Sequence, residues 1–162
     1  MVLRFKTMSE KELKNIWNKF WEEDTQTPRY ELRGNRFGRF GGQVKEAIVA
    51  FSEDIPVGYA SWNDFGDWFK VQGVRVAHQY QNKGIGKALM QRISKISNKI
   101  GIVNAGNNSG NMWSRNGWKV GNKPKELTQD EWNGLSLKTP VLILDNKQKK
   151  WESVLHRYNQ IC

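Results

Sequence analysis

Residues 81–87, Gln-Asn-Lys-Gly-Ile-Gly-Lys, are the stretch whose types and spacing point most directly to chemistry. Gly84 and Gly86 stand between an apolar run ending at Val76 and a helical pattern that places Ile85, Leu89 and Ile93 on one face. Glycine lets a ligand approach the backbone closely. The first-turn N–H groups of a helix have no intrahelical partner, and the helix dipole makes that end a seat for an anion such as a pyrophosphate. Lys83 and Lys87 add positive charge beside it. Other phosphate motifs fit less well. Gly86-Lys87-Ala88 lacks the upstream glycine and the hydroxyl of a Walker loop, and the three-glycine dinucleotide fingerprint is absent.

A second group lies upstream. Arg29, Arg33, Arg36 and Arg39 interleave with Tyr30, Phe37, Phe40 and several glycines, a composition suited to phosphate backbones and stacked bases. The whole chain carries 26 Lys and Arg against 16 acids, a formal +10, and such a field draws nucleic acids, phosphorylated cofactors or acidic surfaces. The side chains needed for metal or thiol chemistry are scarce. His78 and His156 are far apart, and the single cysteine, Cys162, is the last residue. No metal site and no disulfide scaffold is expected from these. No apolar run long enough to span a bilayer and no signal-like apolar core is present, so the expectation is a soluble, cytoplasmic protein without membrane partners.

These residues need elements to position them. At 162 residues, the length suits one compact domain. Ser9, with Glu12 three residues on, predicts a helix start, followed by Leu13, Ile16, Trp17, Phe20 and Trp21 at helical spacing. Strands are expected over 45–52 and 55–62, joined by a turn at Ser52-Glu53-Asp54, and over 68–76. A helix is expected over 84–97, a strand over 100–104, and a helix over 107–116 closed by Gly117. Strands at 118–120 and 141–144, a short helix over 128–132 and a final helix over 149–158 complete the pattern. The order implies a mixed α/β sheet. Most of the eight tryptophans are expected in the core or lining a pocket.

The 74–90 segment resembles the acetyl-CoA motif of the GCN5-related N-acetyltransferase (GNAT) superfamily, Q/R-x-x-G-x-G/A, with Gln81, Gly84 and Gly86 at the matching positions. Val76-Ala77-His78-Gln79-Tyr80 is similar to the family's V-x-P-x-Y entry, with His78 where proline is common. Met112-Trp113-Ser114-Arg115-Asn116-Gly117-Trp118 resembles L-Y-x-K-x-G-F. The resemblance implies a mostly antiparallel central sheet with helices on both faces, splayed between its fourth and fifth strands, and a single domain over 1–162 with an atypical tail from 121. It also implies direct transfer of an acetyl group from acetyl-CoA to an amine. Val74, Arg75 and Val76 would pair through their backbone with pantetheine, and an amide on that strand would polarise the acetyl carbonyl. Asn82, Lys83, Gly84, Ile85, Gly86 and Lys87 would hold the pyrophosphate, with Gln81 in the motif and Asn107 on the pantetheine arm.

The chain departs from the pattern in its acid and base. The family's usual tyrosine acid is Trp113 here, and the usual glutamate base has no clear match. Candidate bases are Asp64 and Asp67 in the turn before the 68–76 strand, and Glu46. Lys123, Lys125 and Lys138 are expected near the acceptor entrance. The arginine segment points to an anionic acceptor, nucleic acid included. Two other readings stay open: an enzyme of this fold that modifies a base or tRNA amine, and a non-catalytic module that binds CoA or nucleic acid.

Overall fold

A computed structural model of the chain describes residues 1–32, 44–106, 109–135 and 139–146. The 149–158 helix, Asn107, Lys138 and the arginines from Arg33 to Arg39 lie outside them. The elements run β1 (Leu3–Ser9), α1 (Glu10–Phe20), β2 (Val44–Ser52), β3 (Ile55–Asp64), β4 (Trp68–Val76), α2 (Ile85–Ile93), β5 (Ile100–Asn104), α3 (Gly110–Arg115), β6 (Lys119–Val120), α4 (Gln129–Asn133) and β7 (Val141–Asp145). A 3-10 turn, His78–Tyr80, stands between β4 and α2.

The strands form one sheet in the order β1-β2-β3-β4-β5-β7-β6. Every neighbouring pair is antiparallel except β4 with β5. Side chains alternate across a strand, so β2 serves both faces. Ala47, Val49 and Phe51 pack with Leu13 and Trp17 of α1, whereas Ile48 and Ala50 pack with Ile85, Leu89 and Ile93 of α2. The sheet is thus covered on both faces, as expected.

Helix starts follow local chemistry. Ser9 caps α1 by accepting from the Glu12 N–H at 3.2 Å. Thr128 and Glu131 form a reciprocal capping box on α4. Helix α2 stops at Ile93, earlier than the sequence pattern suggests. At its end the Met90 carbonyl accepts from both the Ser94 N–H (3.1 Å) and the Ser94 hydroxyl (2.7 Å), and that hydroxyl accepts from Trp118 Nε1 (2.8 Å).

The segment after 121 is part of the core. Leu127 and Leu135 bury against Trp68, Ile100 and Ile102, and Trp68 Nε1 donates to Glu131 Oε2 at 3.2 Å. Lys123 donates to the Leu127 and Pro124 carbonyls and so pins its own loop.

Two positions give direct tests. A Cβ on Gly101 would lie 2.7 Å from Phe69 Cζ and from Trp118 Cη2, both in a packed core. Gly101→Ala is expected to cost about 1–3 kcal/mol in urea unfolding through overpacking; unchanged stability would show that the core around β5 yields. Asp24 accepts from the Gln26 N–H (2.9 Å) and from the Thr27 hydroxyl (2.8 Å), and Thr27 in turn accepts from the His78 N–H (3.0 Å). The Gln26 backbone bond, then the Thr27 bond, hold the Asp24 carboxyl below its ordinary 3.8. A carboxylate with a lowered folded-state pKa stabilises above its unfolded value and loses that stabilisation as pH falls through the folded one. Melting curves from about pH 5 downward should therefore fall more steeply for the wild type than for Asp24→Asn. Parallel curves would contradict this brace.

Candidate active site

The geometry of β4 sets the site. Along one edge β4 pairs with β3 as far as Val76, but along the other it meets β5 only at Trp68, Lys70 and the residue between them. β5 continues to Asn104 with β7 as its other neighbour, so the two parallel strands diverge beyond Lys70. Beyond that point no strand is laddered to the β5-facing edge of β4, an arrangement that an inserted extended chain would fit. β4 is also irregular here. Ser61 faces Gly73 while Trp62 faces Val71, so Gln72 is an extra residue opposite β3. Such a bulge turns backbone groups away from the ladder.

A cleft of about 540 Å³ runs from this open edge to the start of α2. Val74, Arg75 and Val76 form one wall, and Gln81, Asn82, Gly84, Ile85, Gly86 and Lys87 close its end. Lys83 stands beside it with its Nζ 5.4 Å from the centre of the Tyr80 ring, and Tyr80 lines the cleft. The loop conformation explains the glycine. Asn82 has φ +62° and Gly84, the N-cap of α2, has φ +82°. Gly84 offers no side-chain cap, so the first-turn amides of α2 face the cleft without one. At Gly86 the reason is space: a Cβ would touch nothing nearer than Val76 Cγ2 at 3.8 Å, leaving backbone open to a ligand. Gln81 Nε2 reaches the Val76 carbonyl at 3.4 Å and ties the loop to the strand end.

The opposite wall comes from residues with no motif. Trp17 and Tyr59 line the cleft with Gln26, Pro28 and Met112. Trp17 Nε1 donates to the Pro28 carbonyl (3.1 Å), and Asn18 bonds both backbone groups of Tyr30 (2.7 and 2.8 Å). Helix α1 thereby holds the chain after it against the mouth of the cleft. Nearby, the Tyr30 hydroxyl donates to buried Glu10 at 2.5 Å. Burial, then the Glu10 carboxylate, push the Tyr30 phenol far above its usual range, so it stays protonated. Trp17 reads from sequence as core, and only the tertiary packing makes it a wall.

None of the three candidate carboxylates lines the cleft. Asp64 accepts both Lys99 Nζ contacts (2.8 and 2.9 Å) and the Gly66 N–H (2.9 Å). Asp67 is exposed in the same turn. Both precede Trp68, and Asp64 pairs with Phe69, so they sit at the β5-paired end of β4 and not along the Val74–Val76 wall. The structure does not bring them to the cleft, and Lys99 gives Asp64 a structural partner. Glu46 sits on β2 opposite Trp62. Trp113 is buried edge-on against Trp118, ring centres 5.1 Å apart.

Among the described residues no group of His, Cys, Asp and Glu could hold a metal, and no helix is long and apolar enough to cross a membrane.

Comparison with known proteins agrees with this geometry. No curated protein sequence matches the chain significantly. Among solved structures, the catalytic domain of the Tetrahymena GCN5 histone acetyltransferase in complex with coenzyme A superposes with a TM-score of 0.56 at 16% identity, covering 90% of this chain and 94% of that one. A putative GNAT-family acetyltransferase from Bacteroides thetaiotaomicron gives 0.53 at 17% identity, covering 98% and 97%. The PaiA N-acetyltransferase of Thermoplasma acidophilum, in complex with coenzyme A, gives 0.50 at 12% identity, covering 90% and 99%. At these identities the likeness is one of fold. The family model described as the acetyltransferase (GNAT) family matches residues 10–121, which include the splayed strands, the glycine loop and Trp113. The chain belongs to the GNAT acetyltransferase family.

Proposed function

We propose that this protein transfers the acetyl group of acetyl-CoA directly to an amine. The observation that carries the reading is continuity: the uncapped start of α2, the cleft along β4 and the gap between β4 and β5 form one path. Phosphates fit one end of that path, and an extended amide-bearing chain fits the strand edge.

In this reading the pyrophosphate of CoA rests on the amides of Asn82, Lys83, Gly84, Ile85, Gly86 and Lys87, with the two lysine charges beside it. Pantetheine adds to the free edge of Val74, Arg75 and Val76 as a further strand would. The thioester then reaches the bulge at Gln72, where a backbone N–H turned from the ladder polarises the acetyl carbonyl. The amine attacks the carbonyl carbon, the C–N bond forms, the C–S bond breaks, and the proton lost from the nitrogen passes through solvent to the departing thiolate. The Trp113 indole N–H does not titrate usefully as an acid. A thiol such as cysteine's, with a pKa of about 8.5, is far more acidic than an alcohol, so a thiolate leaves without first being protonated. Asp64 and Asp67 take no part in this scheme, and the acceptor enters as the free amine. The formal +10 charge and the arginine-rich 29–39 segment support an acceptor that carries anionic groups, nucleic acid among them.

Gly86→Asp tests the reading cleanly. Its Cβ has room in the fold, and an acid in the first turn favours the helix dipole. The variant should melt within a degree or two of the wild type. Saturating CoA should raise the wild-type Tm by on the order of 5 °C or more and leave Gly86→Asp unmoved. An equal shift in both proteins would place the phosphates elsewhere.

A further inference from the structure

The coenzyme path ends in a second cavity. Between the diverging strands lies a wedge of about 280 Å³ that shares Val74 with the larger cleft. Its lining has two characters. Val71, Met90, Val103 and Trp113 are all buried members of the core cluster on the α2 side. Lys70, Gln72, Asn104 and Ser109 supply its polar side chains. The wedge therefore has an apolar floor and a polar mouth. Beside the bulge it is open, since a Cβ on Gly73 would meet nothing within 4 Å.

The floor is rigid. Trp113 packs edge-on against Trp118, which packs edge-on against Phe69 and donates to Ser94. Ser94 in turn is bonded to Met90, another floor residue. Neither indole can swing without opening a bonded, buried set of rings, and packed interiors yield little.

We propose that Trp113, with Met90 and Val103, is a gate on acyl length: the wedge takes the acetyl or propionyl group of an acyl-CoA and rejects longer chains. This rests on the coenzyme reading above. A chain whose phosphates sit at Gly84 and Gly86, and which runs back along β4, enters the wedge past Val74 with its thioester leading. The acetyl thioester end brings roughly seven heavy atoms to a wedge whose floor is closed by the buried side chains of Val71, Met90, Val103 and Trp113. A hexanoyl tail, four carbons longer, is driven against that floor.

The test is calorimetric binding of CoA, acetyl-CoA, propionyl-CoA and hexanoyl-CoA to the full chain, without any acceptor. Acetyl- and propionyl-CoA should bind within about threefold of CoA. Hexanoyl-CoA should bind at least tenfold more weakly, the low end for excess methylenes in a closed apolar pocket. Trp113→Leu should bring hexanoyl-CoA back to within about threefold of acetyl-CoA. Val103→Ala, which removes less of the core, should move the ratio the same way by a smaller factor. Equal binding of all four ligands to the wild type would overturn the gate alone. A wild type that discriminates identically to a folded Trp113→Leu and Val103→Ala would also overturn it. Failure of free CoA to bind would overturn the coenzyme reading and the gate with it.

Discussion

The rest of the site depends on the incomplete pairing of β4 with β5. Parallel strands normally run together for their length. Here three pairs hold them at one end, and that end is clamped. Trp68 and Ile100 face each other across the junction, Ile102 packs beside them, and Leu127, Leu135 and the Trp68–Glu131 bond seal the cluster. At the other end β5 remains anchored by β7, so it has no need of β4. The separation is thus stable without closing. An open parallel edge inside a sheet leaves backbone donors and acceptors that a ligand with its own amides can satisfy.

The two sheet faces contribute differently. On the α2 side, Ile85, Leu89 and Ile93 fix the helix to the sheet, which fixes its N-terminal amides relative to Val76. Buried Gly58 explains how closely α2 can sit: a Cβ there would come within 3.0 Å of Leu89 Cδ1 and of the Arg75 carbonyl oxygen. On the α1 side, Trp17, Tyr59 and Tyr30 stack edge to face and form a wall. Both sets of contacts are apolar and directional, so the cleft is bounded by rigid groups before any ligand arrives.

Much of this was legible in the sequence, and the reasons are specific. The bounds of β4 and β5 could be read because turn residues interrupt the apolar runs: Gly66-Asp67 before Trp68, and Lys99 before Ile100. The glycine loop was legible because Gly84 and Gly86 answer a positive φ and a close approach, both local demands. The α1 wall was not, since an amphipathic helix looks alike whether its tryptophan fills a core or lines a cleft. The length of α2 was misjudged because the apolar spacing runs on to Ile96, whereas beyond Ser94 the backbone turns to tighter three-residue bonds, Lys95 to Arg92 and Ile96 to Ile93. Asp64 and Asp67 were read as turn residues; Asp67 is one, whereas Asp64 ends β3 and pairs with Phe69. Strand direction alone puts that turn at the far end of β4 from the phosphate loop, and the chemistry of a carboxylate says nothing about which end it occupies.

Amide hydrogen exchange with and without CoA addresses the central claim most directly. The account requires one ligand to cover the α2 start and the free β4 edge together. Protection should rise at 82–88 and at 72–76, and stay unchanged at 64–67 and in β1. Protection confined to other segments, or no change at either of the two, would contradict the account.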